Sequence, residues 1–189
     1  MKGEWAYFNG LLSKGQCEQI IKDGLTIPSN DATIGVTDGK TDNSHRRSKV
    51  RFLLRSDKRF EWIFDMLWKS AMSANNDFFG FHLSKLDYVQ MAEYESSYKG
   101  EYKEHHDVFW LNGDQVYHRK LSCILQLSDP ATYDGGDLVI TEATQPLDKE
   151  CKSQGSLIFF PSMLRHKAEP VTRGTRYSLA AWFDGPKWR

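Results

Sequence analysis

The stretch Gly155-Ser156-Leu157-Ile158-Phe159-Phe160-Pro161-Ser162-Met163-Leu164-Arg165-His166 continues to Thr175-Arg176-Tyr177-Ser178-Leu179-Ala180-Ala181-Trp182-Phe183, and it decides the fold class. Its apolar runs are short, rich in aromatic and branched residues, and broken at Pro161-Ser162 and Arg173-Gly174. Strands joined by turns read this way, whereas a helix would need a longer run at 3.6-residue spacing. The same texture extends back to residue 78. It predicts strands at 78–83, 86–94, 101–107, 119–127, 137–141, 155–160, 164–170 and 175–183. Turn signals separate them at Asn112-Gly113-Asp114, Asp129-Pro130, Asp134-Gly135-Gly136 and Arg173-Gly174.

Ahead of residue 78 the pattern changes. Trp5 to Phe8 reads as a strand, and Asn9 to Gly24 as a helix that Ser13 can cap and Gly24 can stop. Val50 to Leu54 reads as a strand. Arg59 to Asn75 reads as an amphipathic helix with Phe60, Ile63, Phe64, Leu67, Trp68 and Met72 on one stripe and Ser56-Asp57 as its cap. Residues 26–49 are polar and turn-rich, as a long binding loop would be. The basic run His45-Arg46-Arg47-Ser48-Lys49-Val50-Arg51 that follows has two readings, a solvated strand start or a contact for an acidic or polymeric partner. Two helices before about eight evenly spaced strands predict a mainly β fold with supporting helices, a sandwich or jelly roll.

The chain has 189 residues, 40% apolar and 26% charged, which fits one globular domain spanning 1–189. Helical support is expected at about 9–75 and the β core at about 78–185. Lys plus Arg and Asp plus Glu both number 25, and a net charge of zero argues against wrapping a nucleic acid by bulk electrostatics. No apolar run is long enough to span a membrane, and Met1-Lys2-Gly3-Glu4-Trp5 lacks the apolar core of a signal peptide. Three separated cysteines, Cys17, Cys123 and Cys151, form no CxxC pair and read as reduced thiols of a cytoplasmic protein.

Chemistry concentrates in Tyr102-Lys103-Glu104-His105-His106-Asp107. Residues i and i+2 of a strand share a face, so His105 and Asp107 can aim at one point while His106 aims away. An imidazole and a carboxylate are two parts of the 2-His-1-carboxylate set that binds iron and leaves coordination positions open. The third ligand could be His45, His82, His118 or His166. His166 is preferred because late strands of a jelly roll run beside early ones. Ten residues on, alternation predicts that Arg176 points into the sandwich. A guanidinium buried there needs an anion, and its fork suits a carboxylate.

These elements together resemble the 2-oxoglutarate- and Fe(II)-dependent oxygenases, within them the prolyl-hydroxylase branch with its small bacterial and phage-type members. The resemblance rests on Tyr102-x-x-His105-x-Asp107, Gly135-Gly136-Asp137-Leu138, Phe160-Pro161-Ser162, His166, Pro170-Val171-x-Arg173-Gly174-x-Arg176-Tyr177 and Trp182-Phe183. It implies a double-stranded β-helix. It implies Fe(II) on His105, Asp107 and His166, with 2-oxoglutarate as co-substrate, O2 as oxidant and ascorbate as a reductant. Arg176 would pair with the far carboxylate of 2-oxoglutarate, and Tyr94 would line the pocket beside it. Trp182 and Arg119 would contact substrate. Gln126 stands where many prolyl hydroxylases carry a Tyr that donates to the co-substrate, a role its amide can take. Arg176 stands where collagen-type enzymes usually carry Lys, which leans toward the soluble regulatory or bacterial enzymes. The implied reaction is hydroxylation of a prolyl residue in a peptide or protein by a monomer, with succinate and CO2 as co-products. The alternatives are the same chemistry on a nucleic acid base, a lipid or a small metabolite, or a non-enzymatic jelly-roll binding module.

Overall fold

The structure, a computed structural model, describes residues 2–32, 42–111, 113–147 and 151–188. The middle of the expected 26–49 loop and Asn112 of one expected turn lie outside these residues.

In chain order the elements are β1 (Ala6–Phe8), α1 (Lys14–Leu25), β2 (Asn30–Asp31), β3 (Arg46–Arg47), β4 (Lys49–Leu53), α2 (Glu61–Ala74), β5 (Val89–Glu95) and β6 (Glu101–His105). Then follow β7 (Tyr117–Gln126), β8 (Asp134–Gly135), β9 (Leu138–Ile140), β10 (Leu157–Pro161), β11 (His166–Ala168), β12 (Val171–Arg173) and β13 (Thr175–Pro186). A seven-stranded sheet runs β1-β10-β7-β13-β5-β4-β2, and a four-stranded sheet runs β3-β6-β11-β9. Strands β12 and β8 pair separately, and all the pairings are antiparallel. This is the expected mainly β jelly roll, a double-stranded β-helix.

The large sheet sorts its residues by parity. Leu121, Cys123 and Leu125 of β7, with Leu179, Ala181 and Phe183 of β13, pack against Ile63, Phe64 and Leu67 of α2 and Cys17 and Ile20 of α1. The alternate residues, Ile124 of β7 and Arg176, Ser178, Ala180 and Trp182 of β13, line a pocket together with His105 and His166 of the small-sheet side. Helices thus brace one face of the sheet and leave the other for chemistry. Full burial of each large side chain in the braced layer contributes about 1.5–3 kcal/mol.

Three local expectations change. Helix α1 begins at Ser13, whose hydroxyl caps Gln16 N–H while the Gln16 side chain returns to the cap backbone. It continues through Gly24 to Leu25, because Gly24 is there for space: a Cβ would fall 2.3 Å from Met91 Sδ. Helix α2 starts after Phe60 with no side-chain cap, since Asp57 is engaged with Arg59. Residues 78–83 form no strand. A π-helical turn, Asn75–Phe79, extends α2, and the Asn75 amide then takes the place of a strand partner, accepting from Phe81 N and donating to Phe81 O at 2.8 Å each.

The basic run is neither a solvated face nor a free patch. Arg51 is buried against Glu93 at 2.8 Å, Lys49 approaches the same carboxylate at 3.9 Å, and Arg47 pairs with Glu101 at 2.7 Å. Arg46 is buried at the pocket. No helix among the described residues is long and apolar enough to cross a membrane.

Candidate active site

Strand pairing brings the site together. His166 of β11 lies opposite His105 of β6 in the register, so residues 61 positions apart become neighbours. Strand β6 ends at His105, and Asp107 is held just past it by its own N–H, which donates to Ser162 O at 2.9 Å. His106 is exposed, as the alternation predicts.

His105 Nε2 lies 3.7 Å from Asp107 Oδ1, and His166 Nε2 lies 3.5 Å from Asp107 Oδ2. Among the described residues these three form the one group able to hold a metal ion, with ligand atoms within 4.8 Å of one another. The orientation of each ring is set from behind. His105 Nδ1 is 2.8 Å from Lys103 O and His166 Nδ1 is 3.1 Å from Leu164 O. A carbonyl can only accept, so each Nδ1 carries the hydrogen and each Nε2 presents a lone pair inward. Ser122 Oγ donates to Asp107 Oδ2 at 2.7 Å and is 2.9 Å from Ser162 Oγ, both hydroxyls being fully buried. Two neutral nitrogens and a carboxylate on one side of a point suit Fe(II), so the donor set fits the metal that the resemblance implies.

Electrostatics agree with that division of charge. Burial and the neighbouring His166 push His105 down to about 3. Burial alone would raise Asp107, but His166, His105, Arg119 and the Ser122 hydroxyl outweigh it and hold the carboxyl down to about 2. At neutral pH the His105 imidazole is therefore neutral and Asp107 is a carboxylate. Free His45, His82 and His118 stay outside it: His45 packs edge-on to Tyr102, His82 is exposed, and His118 accepts from Trp188 N–H behind the site.

The pocket holds about 490 Å³ of empty space, its mouth included. Arg176, 3% exposed, lies at one end, with its guanidinium 5.5 Å from the Tyr94 ring centre. Gln126 stands behind it rather than on the pocket wall, and its Oε1 accepts from Arg176 Nη2 at 3.0 Å. The glycine at position 136 has a steric reason. Gly136 has φ +66, and a Cβ there would meet Val171 Cγ2 at 2.9 Å and Arg176 Cδ at 3.0 Å.

A second space of about 740 Å³, its open mouth included, adjoins the first and shares His105 and Asp107 with it. Trp182 belongs to both spaces, and Arg119 lies 4.1 Å above its ring while donating to Tyr88 Oη at 2.6 Å. Phe109 joins this wall, whereas Trp110 turns outward against His118.

Sequence reasoning gave no role to Ser122, Gln90 or Tyr88, named Tyr102 only within the family motif, and took Arg46 only as part of a basic run that could contact an acidic or polymeric partner. Ser122 had a readable signal, a small polar residue at an inward-facing position between Leu121 and Cys123. Arg46 had none beyond membership of a basic run.

A family model for the 2OG-Fe(II) oxygenase superfamily matches residues 89–184. A PKHD-type hydroxylase of Aliarcobacter butzleri is 31% identical over 136 residues, 70% of this chain and 58% of that protein. The chain thus spans little more than half the length of that relative. A Pseudomonas putida prolyl-4-hydroxylase structure superposes with a TM-score of 0.72 at 19% identity, covering 96% of this chain and 92% of that one. A Trichoplax adhaerens prolyl hydroxylase in complex with a hypoxia inducible factor peptide fragment gives a TM-score of 0.72 at 14% identity, covering 96% and 83%. At these identities the two structures speak for the fold.

Proposed function

Because the chain belongs to the 2OG-Fe(II) oxygenase superfamily, we propose that it is an Fe(II)- and 2-oxoglutarate-dependent dioxygenase that hydroxylates a prolyl residue in a peptide or protein. One observation carries the reading. The His105, Asp107 and His166 cluster and the buried Arg176 share one pocket, and an adjoining, aromatic-walled cavity also reaches His105 and Asp107.

Iron bound by the three side chains would supply the activation of oxygen that protein groups lack. The chain's own residues do the rest. Lys103 O and Leu164 O fix the two imidazoles, and Ser122 fixes the carboxylate. Arg176 meets the far carboxylate of 2-oxoglutarate in a dry setting where a charge-assisted pair is strong. Gln126 occupies one Arg176 N–H and so sets the plane of the fork, while Tyr94 closes the floor beneath it. Beside the cluster, Trp182, Tyr88 and Phe109 offer flat apolar faces suited to a pyrrolidine ring. Arg119 is held by Tyr88 at the rim, where it can donate to a peptide carbonyl. The pairing of Arg47, Lys49 and Arg51 with Glu101 and Glu93 engages these charges within the fold, which weighs against a nucleic acid held along the basic run.

Anaerobic addition of Fe(II) and 2-oxoglutarate should give a visible metal-to-ligand charge-transfer band in the wild type that is absent in Asp107→Ala. With oxygen admitted, a proline-rich peptide pool should gain the mass of one oxygen. A folded, iron-binding protein without the band would overturn the oxygenase reading. Co-substrate consumption with no oxygen gained on any prolyl peptide would overturn the prolyl substrate alone.

A further inference from the structure

Arg46 lies between the two cavities and belongs to both walls. It is 7% exposed, yet its partners are neutral. Nε donates to Ser48 Oγ at 2.8 Å and Nη2 to Gln90 Oε1 at 2.9 Å, while Nη1 has no hydrogen-bond partner among the described residues. The guanidinium lies 4.3 Å from the Tyr102 ring centre, and Tyr102 stacks on His105 with centres 3.5 Å apart. Guanidinium, phenol and imidazole thus form one column ending at the cluster.

Counting charges isolates Arg46. Asp107 and doubly ionised 2-oxoglutarate bring three negative charges, which Fe(II) and Arg176 balance. Arg119 on the far wall has Asp184 as an electrostatic neighbour. Among the described cations that line the two cavities, Arg46 remains buried without an acidic partner, a costly state unless an anion arrives. From this we infer that the substrate carries a carboxylate close to the carbon that is oxidised, an acidic side chain or free C-terminus beside the target residue, and that Arg46 reads it. The inference rests on the oxygenase reading above and narrows its substrate class to acidic peptides.

The test compares one pool of short proline-containing peptides with the same pool after its carboxylates are converted to amides. Peptide-stimulated succinate release and mass gain of one oxygen are both followed. The wild type should favour the untreated pool by about tenfold to hundredfold, the range expected for hydrogen bonds to a charged group. In Arg46→Gln the ratio of the two pools should fall to near one, while Arg46→Lys, which keeps the charge but not the fork, should retain part of it. Thermal unfolding and Co(II) absorption show that each variant is folded with an intact cluster. Calorimetry on the best peptide and its amide, in Co(II)- and 2-oxoglutarate-loaded protein, should show the same ratio in affinity. Equal stimulation by both pools, or a ratio unchanged in Arg46→Gln, overturns the inference and leaves the oxygenase reading standing. Stimulation by neither pool, with co-substrate still consumed, overturns the peptide substrate itself.

Discussion

Removing the Ser122 hydroxyl tests how the carboxylate ligand is held. Ser122 is 1% exposed, and its Oγ donates to Asp107 Oδ2 at 2.7 Å. The hydroxyl is in turn 2.9 Å from Ser162, itself fully buried. In Ser122→Ala the carboxylate loses a charge-assisted bond from a fully buried hydroxyl. Hydrogen bonds to charged groups contribute about 1.5–3 kcal/mol. Loss of a partner behind a metal ligand typically lowers metal affinity about 10–100-fold, or roughly 1.4–2.8 kcal/mol. The two routes agree, so Co(II) affinity by calorimetry should fall about 10–100-fold. Ser162→Ala should cost less, because Ser122 still donates to Asp107 and only its own partner is gone. The folding cost of Ser122→Ala should stay near 1–2 kcal/mol, since the change leaves no large cavity. Co(II) affinity within twofold of wild type, in a folded variant, would refute the idea that this hydroxyl orients Asp107. So would an equal loss in Ser162→Ala.

Glu93→Gln should destabilise by about 3–5 kcal/mol, because it leaves the buried Arg51 without its carboxylate. Thermal unfolding should show a drop of roughly 6–20 °C for a chain of this size. Gly136→Ala combines a left-handed backbone with a Cβ 3.0 Å from Arg176 Cδ, so it should raise the KM for 2-oxoglutarate at least about tenfold. An unchanged KM would show that Arg176 does not need that space. The metal-free protein should lose stability on acidification. The folded pKa of His105 is depressed from 6.5 to about 3, so the unfolded chain binds the extra proton and stability falls as pH drops through that window. Asp107, depressed from 3.8 to about 2, adds a further loss below pH 4. Urea midpoints between pH 8 and pH 4 measure this, and a midpoint flat from pH 7 to pH 5 would contradict it.

Much of the site was legible because strand geometry is local. Alternation placed Arg176 inward, and it lines the pocket with Ser178, Ala180 and Trp182. The same rule put His105 and Asp107 on one side and His106 outside, although the strand itself ends at His105. Where residues switch role without changing composition, reading failed. Phe78 to Leu83 has strand-like residues, but Asn75 satisfies Phe81 and removes the need for a ladder. Gly24 looked like a helix stop, yet it is an approach point for Met91. Gln126 was expected at the co-substrate; its Oε1 accepts from Arg176, a contact that the spacing did not predict.

The sequence by itself determined most element types, the inward parity of the core strands and the chemistry of the ligand set. Each of these depends on residues within a few positions of one another. Tertiary structure decided which histidine joined His105, through the β11–β6 register, and which arginine of the basic run was buried beside it. It also decided that Ser122 would hold Asp107. The physical reason is that register and sheet closure are collective. A side chain's face is set by its own backbone, but its partner is set by how distant strands pair, and a shift of one residue would exchange every partner at once.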